Sequence, residues 1–133
     1  MITSTLVNSS SLGTPVRVFV SSTTGAAIGS TSAGPPPIPA GQVNAITSMV
    51  LCNNFTPISL TNEDTGTCSV NVYLVKFGGS ASTSNIIISS LIIPAGETVF
   101  LSEERIVLDA GDEIWISATS ANRITFTVST LPV

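Results

Sequence analysis

Residues 68–75 read CSVNVYLV, so that Cys, Val, Val and Leu at every second position alternate with Ser, Asn, Tyr and Val. Alternation with a period of two places the two sets of side chains on opposite faces of an extended strand. The same pattern occurs in VRVFV at residues 16–20 and in ITFTVS at residues 124–129. The sequence therefore predicts three strands with one buried face, and it places Arg17 and Phe19 together on the face opposite Val18.

Four more segments have the composition of strands, and they lie at residues 46–52, 86–93, 97–101 and 113–118. Turn residues separate the strands at intervals of about eight to twelve positions, which is typical of a β-sandwich or jelly roll. Residues 102–105 (SEER) are the nearest approach to a helical start, but the sequence after them leaves room for a single short turn only. We therefore predict an all-β protein, an antiparallel β-sandwich of jelly-roll or immunoglobulin-like type, without long helices.

Three turns share a local pattern, with PAG at residues 39–41 and 94–96 and DAGD at residues 109–112. For the two PAG turns, proline at the second position and glycine at the fourth position favour type I geometry. The DAGD segment is expected to make a similar turn before the strand that follows it.

The 133 residues fit a single domain. Residues 1–20 are an N-terminal strand segment and residues 43–133 form the body of the sandwich. Between them, residues 21–42 (SSTTGAAIGSTSAGPPPIPAGQ) contain four prolines and no periodicity, which indicates a loop or an arm. A surface loop and an arm that orders on a neighbouring subunit both remain open; in the second case Pro35, Pro36, Pro37 and Ile38 would contact the neighbour.

Charged residues make up only 9% of the chain, against about 25% in an ordinary soluble domain. Hydrophobic residues make up 43%, and the mean hydropathy is +0.52. A surface with so few charges favours association over dispersal. The composition therefore favours a subunit of an assembly.

Four basic residues are scattered along the chain, and the net charge is −4. Without a basic stripe, neither nucleic acid nor an anionic membrane is expected as a direct partner.

The most apolar run, residues 86–95, is about ten residues long, whereas a spanning helix needs roughly 20. The N-terminal residues lack the features of a signal peptide, so we expect the chain to stay where it is made unless a larger structure carries it out.

The chain has no histidine, which makes a Ser/His/Asp arrangement impossible and removes the commonest metal ligand. Two cysteines, Cys52 and Cys68, are too few for a zinc site. We predict that both are reduced and contribute packing only, although a disulfide between them remains an alternative.

Six carboxylates cluster in the second half of the chain, and the turns of the predicted sandwich explain them as solvated side chains: Glu97, Glu103, Glu104, Asp109, Asp112 and Glu113. A glycosidase pair, or a calcium site that includes residues 62–66 (NEDTG), is the alternative. We predict no catalytic, cofactor or metal site, and hence no enzyme.

Trp115 lies between Ile114 and Ile116, on the opposite side of its predicted strand. Three roles remain open for this ring: burial within the fold, an anchor in a protein interface, and a platform on which a sugar stacks. We include Trp115 among the candidate interface residues.

Four segments of the second half form a recognisable series: ITSMVLCNN at 46–54, VNVYLV at 70–75 with GGS at 78–80, LIIPAGET at 91–98, and IVLDAGD at 106–112. These segments, in this order, resemble small virion structural proteins of tailed bacteriophages. The resemblance covers about residues 45–131. It implies a β-sandwich particle component without catalytic residues.

From this resemblance we expect a non-enzymatic structural protein of a bacteriophage virion, foremost a capsid cement or decoration protein that stabilises the head. A neck or tail adaptor is the first alternative and a carbohydrate-binding module the second. The expected partners are other virion proteins, above all the major capsid protein, and further copies of the chain, with a trimer as the simplest arrangement. The expected location is the virion, assembled in the host cytoplasm, and no cofactor is expected.

Overall fold

The computed structural model describes residues 2–21, 43–56, 65–101 and 106–133. Within these residues the chain forms strands and turns, with no helix that could cross a membrane. The nine strands of the described part are β1 (Ile2–Leu6), β2 (Val16–Val20), β3 (Asn44–Asn53), β4 (Cys68–Val75), β5 (Ile86–Ile93), β6 (Thr98–Leu101), β7 (Ile106–Leu108), β8 (Glu113–Ala118) and β9 (Ile124–Pro132).

The strands form two antiparallel sheets. One has the order β1-β9-β3-β6, with β7 also paired to β3, and the other has the order β2-β8-β4-β5. Strands β6 and β7 lie along the same edge of β3, since β6 pairs with residues 49–52 and β7 with residues 44–46. Each sheet is therefore four strands wide. The predicted antiparallel β-sandwich is confirmed.

The strand order also distinguishes the two kinds of sandwich that the sequence left open. Apart from the β4–β5 hairpin and the β6–β7 interruption, every connection crosses from one sheet to the other. Eight strand positions wound in this way make a jelly roll and not an immunoglobulin-like sandwich.

The core lies between the inward faces of the two sheets. Because side chains alternate along each strand, Val70 and Val72 of β4 point into the core together with Ile114 and Ile116 of β8, and Phe126 comes from the facing sheet. The alternation predicted for residues 68–75 is therefore confirmed. Tyr73 and Val75 point to the opposite, outer face of the same sheet, where they pack with Trp115 in a second cluster.

Strand β2 departs from its predicted alternation. The register with β8 shifts between Arg17 and Phe19, so Phe19 enters the core with Val16 and Val18. A β-bulge adds one residue to one strand, which reverses the face of every side chain beyond it. Phe19 is consequently a core residue, while Arg17 stays on the outer face and Val20 joins it there, opposite Glu113.

The turns at residues 94–97 and 109–112 share one geometry, as their sequences predict, but the type differs. In each turn the fourth backbone N–H donates to the first carbonyl, at 3.1 Å and 3.0 Å respectively. The third residue has a positive φ, 77° at Gly96 and 86° at Gly111, which is the mark of a type II turn. The type I prediction is therefore wrong for the PAG turn at 94–96, because its glycine supplies the positive φ at the third position. The PAG segment at 39–41 lies outside the described residues.

Two glycines with the same backbone conformation differ in their surroundings. Gly66 and Gly96 both have φ 77°, but a Cβ on Gly96 would meet no atom within 4 Å, whereas one on Gly66 would overlap the ring of Phe55 and lie 2.8 Å from the Cβ of Ala95. We expect Gly96→Ala to lower the free energy of unfolding by about 1 kcal/mol through its φ alone. We expect Gly66→Ala to lower the free energy of unfolding by about 1 kcal/mol more than Gly96→Ala does, because the new methyl group also has no room. Urea unfolding of the two variants measures the difference, and equal values would contradict it.

Some predictions fall on residues outside the described part of the chain. The proposed arm at residues 21–42 does so except for Ser21, and its candidate contacts Pro35, Pro36, Pro37 and Ile38 do so entirely. The short turn at 102–105 and residues 62–64 of the candidate calcium segment also lie outside. These predictions stay untested.

Candidate interaction surface

The outer face of the five-stranded sheet carries no charged side chain among the residues that the structure describes. We call it the uncharged face. It consists of Ile2, Ser4 and Leu6 from β1; Thr125, Thr127, Ser129 and Leu131 from β9; Ala45, Ser48, Val50 and Cys52 from β3; Thr98 and Phe100 from β6; and Val107 from β7.

This composition follows from the alternation along each strand. Inward positions of β9 hold Ile, Phe and Val, while the outward positions between them hold Thr and Ser. Threonine and aliphatic side chains fit a pleated surface well, so the strands form without charged residues. The large apolar side chains of the face are well exposed, with Ile2 at 73%, Phe100 at 70% and Val107 and Leu131 at 58% each.

The register places these side chains in rows across the sheet. Ser4, Thr127, Val50 and Phe100 form one row, which runs from β1 to β6. Ile2 and Leu6 flank Ser4 on the same face of β1. The two outer edges of the face are therefore apolar, and hydroxyl groups occupy much of its middle.

Three of the six hydroxyl groups of the face, those of Ser4, Thr125 and Thr127, are bonded within the chain. Ser4 Oγ and Thr127 Oγ1 lie 2.9 Å apart, and the side-chain amide of Asn54 donates to Thr125 Oγ1 at 3.3 Å. A partner covering the face would have to supply hydrogen bonds only to the hydroxyl groups of Ser48, Thr98 and Ser129, since burying a polar group without a hydrogen bond is costly. The face suits burial against another protein.

Described charges lie at the margins of this face or on the other sheet. Glu97 immediately precedes β6 and Arg123 immediately precedes β9, where its guanidinium stacks 3.9 Å from the centre of the Phe55 ring. An apolar, uncharged centre with a charged rim is the usual anatomy of a protein interface.

The outer face of the four-stranded sheet differs, because its charged and aromatic side chains are buried. Arg17, Trp115 and Tyr73 form a row across β2, β8 and β4. Arg17 forms an ion pair with Glu113, and its guanidinium lies 5.5 Å from the centre of the Trp115 ring. Trp115 Nε1 donates to Glu113 Oε1 at 3.2 Å.

Burial raises the pKa of the Glu113 carboxyl above its usual value, although the hydrogen bond from Trp115 and the charge of Arg17 act in the opposite direction. Sequence reasoning took Glu113 for a solvated carboxylate, but it is only 1% exposed. The strand register that joins it to Arg17 leaves no signal in the sequence.

The sequence left three roles open for Trp115, and the structure shows the first of them. Trp115 is buried within the fold and is only 2% exposed. The ring is not available as a platform on which a sugar could stack. Its assignment as an interface residue is not tested by a single chain.

Both cysteines are free, and they lie on different sheets. Cys68 points into the core and is completely buried, as predicted. Cys52 is half-buried on the uncharged face, where it pairs with Thr98 and Thr125, so it is not the core residue that its apolar neighbours suggested.

The remaining described carboxylates have separate surroundings. Asp112 is buried and accepts hydrogen bonds from Lys76 Nζ at 2.9 Å, from the Phe77 N–H at 3.2 Å and from the Asp109 N–H at 3.1 Å. It therefore ties the 109–112 turn to the end of β4. Within the described residues, His, Cys, Asp and Glu form no group of three or more that could hold a metal ion.

An open depression lies between β4 and β7, with a volume of about 110 Å³ and a mainly apolar lining. Binding pockets for small molecules usually have about 300–1,000 Å³. This depression is smaller than such a pocket.

No protein-family model, curated protein or solved structure matches this chain. The resemblance to bacteriophage virion proteins therefore remains a prediction from the sequence.

Proposed function

We propose that the protein is a non-enzymatic structural component of a bacteriophage virion, foremost a capsid cement or decoration protein that packs against the major capsid protein. The single observation that carries the proposal is the uncharged face, which is four strands wide and has well-exposed apolar edges. A structural subunit needs such a surface for its neighbours in the particle. A neck or tail adaptor would use the same surface, and the position of the protein in the particle separates the two roles.

The proposal is supported physically by the exposed apolar side chains of this face, which a protein that stays monomeric would not be expected to present to water. Large exposed apolar patches on soluble proteins usually mark interaction sites. Because the described residues of the face carry no charge, its binding to a protein partner gains little from long-range attraction and loses little when salt screens charges. Particle binding should therefore be nearly independent of salt concentration.

The test is binding of the purified protein to virus heads that lack it, measured by co-sedimentation at about 50 mM and about 500 mM salt. We expect saturable binding at both concentrations. Thr98→Lys places a charge on the uncharged face and should lower the occupancy at least about tenfold, since burying an unpaired charge is costly. Ser89→Lys adds the same charge at an exposed position of β5 in the other sheet, and should bind like the wild type.

Absence of wild-type binding to heads, necks or tails would contradict the proposed function. Equal loss of binding in Thr98→Lys and Ser89→Lys would show that the uncharged face is not the surface used.

A further inference from the structure

We infer that the occupant of the uncharged face is a second copy of this chain, related to the first by a two-fold axis that runs parallel to the strands. The inference rests on the proposed function in one respect: it names a second copy as the neighbour that this surface contacts in the particle, so that the dimer, and not the single chain, packs against the major capsid protein and loss of the dimer lowers head binding. It makes the building unit of the assembly a dimer with the two five-stranded sheets packed face to face.

Charge distribution favours a second copy. The chain has a net charge of −4, so two copies repel one another at most orientations. On the uncharged face the described residues include no charge that could oppose its own equivalent. Contact through this face therefore brings two copies together without placing like charges opposite each other.

The arrangement of side chains on the face is complementary to itself. A two-fold axis along the strands places β1 of one copy over β6 of the other, twice in each dimer. Because Ser4 and Phe100 lie in the same row, the Phe100 ring of each copy meets Ser4 of the other. Ser4 is small and lies between Ile2 and Leu6, so the ring is seated between two aliphatic side chains.

The middle of the face fits the same axis. Thr127 of one copy meets Val50 of the other, and Ser4 Oγ and Thr127 Oγ1 keep their mutual hydrogen bond. Packed sheets lie about 10 Å apart, with their strands within about 30° of each other, so the rows stay in contact despite the sheet twist. No buried hydroxyl of this row needs a partner from the other copy.

The area is sufficient for a stable pair. Four strands spaced about 4.8 Å apart, and a strand of nine residues at about 3.4 Å each, span roughly 19 by 31 Å. Each copy therefore covers about 600 Å², and the pair buries about 1,200 Å² in total, which reaches the lower limit of stable interfaces.

The first measurement is the mass of the protein in solution, without particles, by sedimentation over a range of concentrations. We expect a monomer–dimer equilibrium. Ser4→Lys and Phe100→Glu should each raise the dimer dissociation constant at least about tenfold, because each places an unpaired charge in the contact. The double variant S4K/F100E should recover dimerisation, since the axis sets the new ammonium of each copy against the new carboxylate of the other. Ser89→Lys is the control for added charge.

The second measurement uses the native cysteines and does not depend on a substitution. Cys52 lies on the uncharged face, whereas Cys68 is completely buried inside each chain. Alkylation of Cys52 by iodoacetamide should slow as the protein concentration rises and the dimer forms. Cys68 should react slowly at every concentration, and in Phe100→Glu the labelling of Cys52 should not depend on concentration.

A monomer at about 100 μM would overturn the inference. So would a trimer, which the virion resemblance favours, or a dimer that S4K and F100E leave unchanged. A monomer that still binds heads would overturn the dimer and leave the proposed function standing. A dimer that binds no particle would contradict the proposed function and leave the inferred dimer standing.

Discussion

Glu113→Ala is expected to lower the free energy of unfolding by about 3–5 kcal/mol, because it removes one partner of a buried ion pair. Arg17 and Glu113 are each 1% exposed, and Arg17 lies on the outer face of its strand, against the Trp115 ring. Without the carboxylate, the guanidinium loses its ion pair while remaining out of water. Guanidinium unfolding followed by the fluorescence of the single tryptophan measures the change.

The double variant Arg17→Met/Glu113→Leu separates the ion pair from the packing. Replacing both charged partners with apolar residues of similar size is often neutral or stabilising, so most of the lost stability should return. If the double variant is as unstable as Glu113→Ala, the loss comes from packing around Trp115 and not from the unpaired charge.

The pH dependence of stability follows from the raised pKa of Glu113. The usual value is 4.5, and burial raises it in the folded chain, so the folded protein holds this proton more tightly than the unfolded chain does. Glu113 therefore contributes this stability in full below pH 4.5, and the contribution is lost as pH rises through the folded-state pKa. Relative to Glu113→Gln, the wild type should become less stable as the pH rises above 4.5 and passes through the folded-state pKa of Glu113. An opposite trend would show that Arg17 outweighs burial.

Asn53→Leu is expected to lower the free energy of unfolding by about 3 kcal/mol, because it removes three hydrogen bonds worth about 1 kcal/mol each. The Asn53 side chain is completely buried. Its amide donates to the Gly66 carbonyl at 2.7 Å and to the Ile93 carbonyl at 2.8 Å, and its oxygen accepts from the Phe55 N–H at 3.0 Å. One side chain therefore joins the end of β3 in one sheet to the end of β5 in the other.

Two variants test this assignment. Asn53→Asp keeps the acceptor but sets a carboxylate oxygen against two carbonyl oxygens, so it should be at least as unstable as Asn53→Leu. Asn54→Ala, at the exposed next position, removes a single bond of 3.3 Å and should change the free energy of unfolding by less than about 0.5 kcal/mol. Similar effects at residues 53 and 54 in urea unfolding would show that Asn53 does not join the sheets.

The strands with a regular period of two could be predicted from the sequence, because alternation directly records one buried face. Residues 68–75 form β4 within the bounds predicted, and the strand predicted at 124–129 extends to Pro132. Short edge strands leave a weaker signal. Strand β7 has only three residues, and its pairing with β3 is what identifies it as a strand.

The candidate surface could be predicted only in part. Low charge and high hydropathy led to the prediction that the chain assembles with other protein surfaces, but they did not indicate which surface. The sequence-based candidate Trp115 is buried, and Phe100, which the sequence did not single out, is 70% exposed. Both are aromatic residues in strands, so local sequence does not distinguish the outward position that is covered from the one that is open.

The sequence by itself determined the all-β class, the two-layer architecture and the scarcity of charged residues. These properties depend on residue type and on spacing within one strand, and a period of two expresses them locally. Tertiary structure alone decided the jelly-roll order, the entry of Phe19 into the core, and the meeting of Arg17 with Glu113 across two strands. These features depend on register between segments that are distant in the chain, and a one-residue shift in register moves every side chain to the other face.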